Sequence, residues 1–282
     1  MYLQQSSLYQ QYIRALKWNV ATIDGAHLFY KKFPLIGGIS KIQRPMKLPA
    51  VSKVVKFLNE IGIKKISVEA EYTMDQKKFS AWCRKLTRHV ALNTTSFIPT
   101  KTILIDLKPS EEIIFQRFSE AKRRAVRRAQ KNNVLVRKSD NIRDLMAIKN
   151  KSGGLFGFIV TWGIDKLWPI FAPQNAAILL AHSATNNQQL TTNNCVGGVL
   201  LLFWKKTAYY WIAGATREGK KLFTPTLLVW EALRLSKQRG CKQFDFVGIW
   251  DERLPHYGGT WKGFTKFKGG FGGKEVYYPI AT

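Results

Sequence analysis

The chain has 282 residues, 45% of them hydrophobic and 13% aromatic. That suffices for one large core or two units of about 140 residues, and no long low-complexity tract marks a disordered span. Lys and Arg number 45 against 18 Asp and Glu, a formal charge of +27; solubility needs far less, so the excess points to a polyanionic partner: nucleic acid, an anionic membrane face or a multiply phosphorylated substrate.

The N-terminus, Met1-Tyr2-Leu3-Gln4-Gln5-Ser6, lacks the basic and apolar regions of a signal peptide. Ser7–Lys17 reads as a short helix with Leu8, Tyr12 and Leu16 on one stripe. Two strands follow, Asn19–Tyr30 and Lys32–Ile42, with Gly37-Gly38 as a turn. Pro49 opens a helix in which Val51, Val54, Val55 and Leu58 recur at helical spacing until Gly62 stops it. Lys65–Tyr72 alternates as a strand, Asp75–Arg88 as a helix with Phe79, Trp82 and Leu86 inward, and Thr102–Leu107 again as a strand. Strand and helix alternate, which predicts an α/β fold with mixed sheets.

Ser110–Asn132 reads as one long helix. Ser110 suits the N-cap, Glu111 and Glu112 suit the first turn, and Ile114, Phe118, Ala121, Ala125 and Ala129 form an apolar stripe. Its other faces carry Arg117, Lys122, Arg123, Arg124, Arg127, Arg128 and Lys131, with few acids to pair them. Arginines at this density repel one another unless phosphates lie between them, so Arg123, Arg124, Arg127 and Arg128 are candidate RNA-binding residues. A solvated basic face is the plainer alternative.

Val134–Arg137 resumes a strand and Asn141–Lys149 a helix, followed by a break at Ser152-Gly153-Gly154 and the segment Asp165–Phe171. Ala176–Ser183 is a strand and Ala184–Asn194 a polar loop. Val196–Trp204 and Thr207–Ala213 form a hairpin turned at Lys205-Lys206. Its apolar first strand, the longest apolar run, is about half a membrane span, which makes the expected setting cytoplasmic, with peripheral contact at the inner face of the membrane still open. Then come a loop (Gly214–Thr224), a helix (Pro225–Arg239), a strand (Gln243–Ile249) and a glycine-rich, lysine-bearing tail (Gly258–Gly273). The halves rhyme, which places a domain boundary near residue 140: an N-terminal unit ending in the bridging basic helix, and a C-terminal unit over 141–282.

Conventional catalytic groupings are sparse. Cys83, Cys195 and Cys241 stand too far apart in sequence for a metal pair or a disulfide framework. His27, His89, His182 and His256 are isolated, and no Gly-x-Ser-x-Gly, Walker or His-x-x-x-His pattern occurs. A metal enzyme is not expected.

The run Tyr210-Trp211-Ile212-Ala213-Gly214-Ala215-Thr216, then Pro225-Thr226-Leu227-Leu228-Val229-Trp230-Glu231-Ala232, Gly240, Phe244-Asp245-Phe246-Val247-Gly248 and Phe267-Lys268-Gly269-Gly270-Phe271-Gly272-Gly273 resembles the C-terminal half of the FemABX-like peptidyltransferases. These enzymes use aminoacyl-tRNA to build peptidoglycan interpeptide bridges. The first half agrees, with Gln5-Ser6 and Tyr9, the Ile-Asp-Leu strand, and the Ala-Lys-Arg-Arg-Ala-Val-Arg-Arg-Ala helix before Asn133-Val134. The resemblance implies two tandem GNAT-like acyltransferase domains with a cleft between them. The chain has no long heptad segment, so a coiled-coil arm is not expected.

The implied chemistry needs no cofactor beyond aminoacyl-tRNA as co-substrate: its ester is already activated, so the enzyme has to position an amine and stabilise an oxyanion. By resemblance, Lys268 supplies positive charge to that oxyanion or to the 3′-terminal phosphate, and Phe267 stacks on a terminal base. Tyr210 matches a strand tyrosine that contacts the acceptor, with a core aromatic as the equal alternative; Asp245 either orients the amine or serves as a buried hydrogen-bonding group. The family's phosphate-binding lysine is replaced by Ile13, beside Arg14 and a turn before Lys17, which makes Arg14 the candidate there. The family's tyrosine- and arginine-containing patch is here Leu155-Phe156-Gly157-Phe158 and Trp162, which puts the acceptor in question.

Two other functions compete. An acyl-CoA-dependent N-acyltransferase would want a glycine-rich pyrophosphate loop, of which Arg217-Glu218-Gly219-Lys220-Lys221 is a poor version. A non-catalytic RNA-binding protein would be served by the charge and the arginine helix alone, without an aromatic sheet motif to support it.

Overall fold

The computed structural model describes residues 2–34, 37–93, 96–153, 161–183, 194–256 and 259–281. The fold is α/β with two mixed sheets, as expected, and divides into two compact units. One comprises Met1–Thr102, Asp251–Tyr257 and Val276–Thr282; the other Ile103–Trp250 and Gly258–Glu275. The division therefore falls between Thr102 and Ile103 rather than near residue 140. The reason lies in packing: Phe118, Val126 and Ala129 of the basic helical segment are buried in the same core as Val199, Leu201 and Phe244.

The first unit holds a five-stranded sheet in the order β1 (Asn19–Ile23), β2 (Ala26–Phe33), β3 (Gly37–Gln43), β4 (Lys65–Glu69), β5 (Ala91–Leu92). The stretch read as one strand over Asn19–Tyr30 is a hairpin. Asp24 and Gly25 take φ of 48° and 79°, the left-handed pair that a tight hairpin turn of this hand requires. The Asp24 carboxylate then accepts the Ala50 N–H at 2.9 Å. Helices α1 (Ser7–Ala15), α2 (Val51–Glu60) and α3 (Gln76–Thr87) accompany this sheet, and Leu28, Ile42, Val54, Leu58, Ile66 and Phe79 belong to its buried core. β3 runs parallel to β4. Just past β3, Arg44 (φ 52°) is buried, donates to the Ala70 and Pro99 carbonyls, and lies 3.3 Å over the Tyr278 ring.

The second sheet has seven strands in the order β12-β6-β11-β10-β9-β8-β7, namely Lys274–Tyr277, Lys101–Asp106, Gln243–Asp245, Thr207–Ala215, Cys195–Trp204, Ala176–Ser183 and Val134–Ser139. The segment read as one basic helix is two, α4 (Glu111–Gln116) and α5 (Glu120–Lys131). Ser119 caps the second, its Oγ facing the Lys122 N–H at 3.4 Å, and Glu120 occupies that helix's first turn. The C-terminal tail packs into the break, for the Ser119 N–H bonds the Gly270 carbonyl, and a Cβ on Gly272 would lie 2.3 Å from the Arg117 carbonyl.

α6 (Ile142–Gly153) runs longer than expected and is followed by α7 (Ile164–Phe171). β10 extends to Ala215, and the predicted loop after it is mostly a short helix, α8 (Arg217–Lys221), leading into α9 (Thr224–Gln238). The tail contains α10 (Lys262–Gly269) before β12. The apolar Leu155-Phe156-Gly157-Phe158 stretch and most of the polar loop before β9 lie outside the described residues. Among the described residues no helix is long and apolar enough to cross a membrane.

Candidate functional site

The site forms where β10 and β11 part. These strands are parallel neighbours over only three pairs, from Thr207↔Gln243 to Tyr209↔Asp245. β10 then continues beside β9 to Ala215, with a bulge between Tyr210 and Ile212, while the other chain leaves the sheet after Asp245. The expected strand to Ile249 stops there because the backbone turns. Val247 has φ 55° and Gly248 φ 121°. A glycine tolerates such values; a β-branched residue in the left-handed region is strained and persists only when its surroundings hold it.

Two side chains hold it. The buried Asp245 carboxylate accepts the Val247 N–H at 2.7 Å. The Lys268 ammonium donates to the Phe246 carbonyl at 2.9 Å and to the Gly248 carbonyl at 2.6 Å, bracketing Val247. Lys268 reaches this point from α10, itself anchored where Thr265 Oγ1 accepts the Trp250 N–H at 2.8 Å. Burial lowers the Lys268 pKa to about 8; the Asp245 charge partly opposes that shift and the Lys149 charge adds to it. This is a far more specific environment than that of a solvent lysine. For Asp245, the hydrogen bond to Val247 supports the buried structural alternative.

The other expected residues scatter. Tyr210 is a core aromatic, its ring 5.9 Å from Phe244 and 5.6 Å from Phe246, with burial raising its pKa. The strand bulge and the sheet's inner face put it there. Phe267 is not presented for stacking either: it packs edge-on against Phe271 at 5.2 Å, and the Lys122 ammonium lies 3.8 Å from its ring. Phe264, one turn earlier on α10, is the exposed ring, at 57%. Arg14 is an exposed residue in the last turn of α1, in the first unit.

The four arginines of α5 divide. Arg123 is half-buried and donates to the Gln116 and Phe118 carbonyls, closing the end of α4. Arg124, Arg127 and Arg128 are exposed; Arg124 is 3.5 Å from Glu120, and Arg127 and Arg128 lie over the rings of Phe115 and Phe223. Lys122, among them, is half-buried against Phe267 and Phe271, and burial lowers its pKa to about 8.

Several residues of this unit escaped the sequence reading. Lys149 on α6 and Phe264 carry no periodic or compositional signal. Gly248, a glycine inside a strand pattern, was legible as a turn or close approach. The three cysteines are buried, with burial raising each thiol's pKa, and His256 is exposed. Among the described residues no cluster of His, Cys, Asp or Glu is placed to hold a metal ion.

The sequence profile of the acetyltransferase (GNAT) domain family matches residues 116–262, just over half of the chain. No curated protein matches the chain in sequence. Among solved structures, FemX is similar in fold, with a TM-score of 0.74 at 12% identity over 98% of this chain and 90% of its own. The C-terminal (DUF2156) domain assigned as a lysylphosphatidylglycerol synthetase from Agrobacterium fabrum gives 0.61 at 12% identity, over 98% and 87%. A tandem GNAT protein from the clavulanic acid biosynthesis pathway gives 0.50 at 8% identity, over 90% and 77%. The expected tandem GNAT-like architecture is the one these structures share.

Proposed function

We propose, because this chain belongs to the acetyltransferase (GNAT) domain family, that it is an aminoacyltransferase that moves an amino acid from aminoacyl-tRNA to an amine on the peptide stem of a peptidoglycan precursor, lipid-linked or nucleotide-linked. The observation that carries the reading is Lys268, fixed by two main-chain carbonyls at the parting of β10 and β11. An ammonium has three donors; with two engaged among the described residues, the third is available to a substrate oxygen. The resemblance of the Phe267-Lys268 tail and the fold shared with FemX favour this donor and acceptor.

In the reaction, the acceptor amine attacks the ester carbonyl carbon and forms the C–N bond. Lys268 stabilises the oxyanion, a contribution worth about 2.7–4 kcal/mol when a single preorganised donor is removed elsewhere. Collapse breaks the bond to the 3′ ribose oxygen, which takes up a proton as the nitrogen releases one. With its pKa at about 8, Lys268 is largely protonated at neutral pH, the form this role needs. The exposed Arg124, Arg127 and Arg128 suit the RNA backbone, and Phe264 takes the stacking role first expected of Phe267.

Acyl-CoA is the less favoured donor on a specific geometric ground. The segment that would cradle a pyrophosphate is helix α8, capped by Thr216, whose Oγ1 accepts the Gly219 N–H at 3.0 Å. Gly219 is pressed on β9 so closely that a Cβ there would lie 2.1 Å from the Val196 carbonyl. Its amide faces an internal partner rather than a ligand. The deciding experiment is mass spectrometry of a pentapeptide precursor incubated with the protein and a mixed charged-tRNA pool. One added aminoacyl mass, absent with uncharged tRNA, is the expected result; acylation from acetyl-CoA with none from tRNA would overturn the reading.

A further inference from the structure

Helix α10 carries Lys268 but has little of its own to hold it in place. None of its residues, Lys262–Gly269, is fully buried, and Gly263 and Gly269 stand within it. Glycine inside a helix weakens it, because more backbone freedom is lost on folding. The orientation of α10, and with it the position of the Lys268 ammonium, therefore depends on a few side-chain contacts.

One of these contacts comes from the basic helix α5. Lys122, in its first turn, is half-buried, and its ammonium lies 3.8 Å from the ring of Phe267 and 5.1 Å from that of Phe271. Phe267 immediately precedes Lys268 in α10. The Lys122 stem crosses the tail at Gly270, where a Cβ would lie 2.7 Å from its Cε and 2.9 Å from its Cγ. Gly270 has φ −69°, an ordinary helical value, so this glycine provides space and not backbone freedom. The cap of the same helix grips the same point, for the Ser119 N–H donates to the Gly270 carbonyl at 2.9 Å.

Among the described residues the Lys122 ammonium has no hydrogen-bond or ion-pair partner. A half-buried ammonium so placed is held by the faces of the rings beside it, and that attraction grows as water is excluded. Arg124, Arg127 and Arg128 of the same helix are exposed, whereas Lys122 faces the tail.

We infer that Lys122 is a positioning residue for Lys268: through the rings of Phe267 and Phe271 it fixes α10, so that the Lys268 ammonium stays on the Phe246 and Gly248 carbonyls. The inference rests on the aminoacyl-transfer reading only for its consequence in rate; the placement of Lys268 is a property of the fold.

The test reads the Lys268 amine directly, by labelling the full chain with a limiting amount of isotope-labelled acetic anhydride and resolving the products by mass spectrometry. Lys122→Met keeps the stem and removes the charge. Gly270→Ala keeps the charge and pushes the stem aside, a shift that a flexible side chain can make. In both, Lys268 is expected to label about two- to thirtyfold faster, the range that one cation–π contact spans. Lys122→Arg keeps a cation over the rings and should stay near the wild-type value. Lys131→Met, the same loss of charge at an exposed position of α5, should leave Lys268 as it was. Lys237, held by the Leu107 and Pro109 carbonyls at 3.0 and 2.6 Å, is the internal control and should not change.

Equal rises at Lys268 and Lys237 would mean a general loosening, and an equal rise in Lys131→Met would mean only the field of a +27 protein. Unchanged labelling of Lys268 in Lys122→Met and Gly270→Ala would mean a contact that merely stabilises. Each of these results overturns the inference, and Gly270→Ala decides alone if Lys122→Met does not fold. In transfer assays on the same preparations the maximal rate per folded molecule should fall in step with the labelling, while KM for aminoacyl-tRNA stays within about twofold. A chain that transfers no amino acid, yet labels at Lys268 as Lys122 dictates, keeps the placement and loses the activity. A chain that transfers, with labelling and rate indifferent to Lys122, does the opposite.

Discussion

Each unit of this protein places a cation just beyond the end of a parallel strand pair, and the two cations do different things. In the first, Arg44 follows β3, takes a left-handed φ, donates to the Ala70 and Pro99 carbonyls and is covered by the Tyr278 ring. In the second, Lys268 donates to the Phe246 and Gly248 carbonyls around the left-handed Val247. Both are cations held by main-chain carbonyls, Arg44 buried and Lys268 half-buried. The difference is what remains. The Arg44 guanidinium is closed on one face by an aromatic ring and forked between two carbonyls, which makes it a fastener. The Lys268 ammonium makes two hydrogen bonds among the described residues, which leaves one N–H for the oxyanion we propose, and burial and Lys149 both disfavour its charge.

The sharpest way to break that contrast is substitution of both. Lys268→Met is expected to slow transfer by about 10²–10³-fold, the loss typical of one oxyanion donor. It also strips two carbonyls of their donor, so the melting temperature should fall by several degrees as well. Lys268→Arg should recover stability more than rate. Arg44→Met should cost about 2–3 kcal/mol of stability, from two buried carbonyls left unpaired, with the rate per folded molecule unchanged. Thermal melts and single-turnover kinetics on the same preparations separate the two effects. A folded Lys268→Met variant with full transfer rate would end the catalytic assignment.

The pH dependence follows from the same lysine. If the protonated form stabilises the oxyanion, the rate attributable to it falls as pH rises through about 8, and Lys268→Arg moves that falling limb upward. Stability runs the other way. The folded pKa lies below the ordinary 10.5, so below about pH 8 the full cost of burying the charge is present, and it is relieved as pH rises from there towards 10.5. Lys122 is shifted in the same direction to about 8, so Lys122→Met should flatten part of that rise in a pH series of thermal melts.

The aromatic pair on α10 repeats the contrast on a smaller scale. Phe264→Ala should weaken binding of a CCA-ended RNA by about 1–2 kcal/mol and leave the melting temperature alone. Phe267→Ala removes a ring that is packed between Lys122 and Phe271, so stability should respond before RNA affinity does. Binding isotherms and melts of the two variants, read side by side, test the assignment directly.

Much of this architecture was legible in the sequence, and the misses have physical causes. The alternation of strand and helix gave the α/β class. The Asp24-Gly25 hairpin and the Ser119-Glu120 cap were written plainly in residue types, but a longer apolar pattern overran each of them. Lys268 was reachable only through the family resemblance of the Phe267-Lys268 tail, because Lys262, Lys266 and Lys274 stand in the same stretch. Phe264 and Phe267 were not separable, because the register of a helix begun and ended among Gly259, Gly263, Gly269 and Gly270 is set by tertiary packing. Lys149 was invisible: one lysine among 45 Lys and Arg acquires meaning only when α6 settles on Gly214.

The smallest effects are the most discriminating for the basic helix. Arg124, Arg127 and Arg128 are exposed, so replacing any one with Gln should leave stability within about 0.5 kcal/mol. Each should also lower the slope of log affinity against log salt for tRNA by about 0.7–0.9, the signature of one phosphate contact removed. Arg123 sits in the same run, but its guanidinium closes the Gln116 and Phe118 carbonyls at the end of α4. Arg123→Gln should therefore destabilise the fold and leave the salt slope nearly intact. Had the run been a uniform electrostatic strip, all four would behave alike. A salt slope that drops equally for Arg123 and its neighbours would show that the α4–α5 break opens in the complex and frees Arg123 for RNA, in which case the tail packed into that break at Gly270 and Gly272 must move with it.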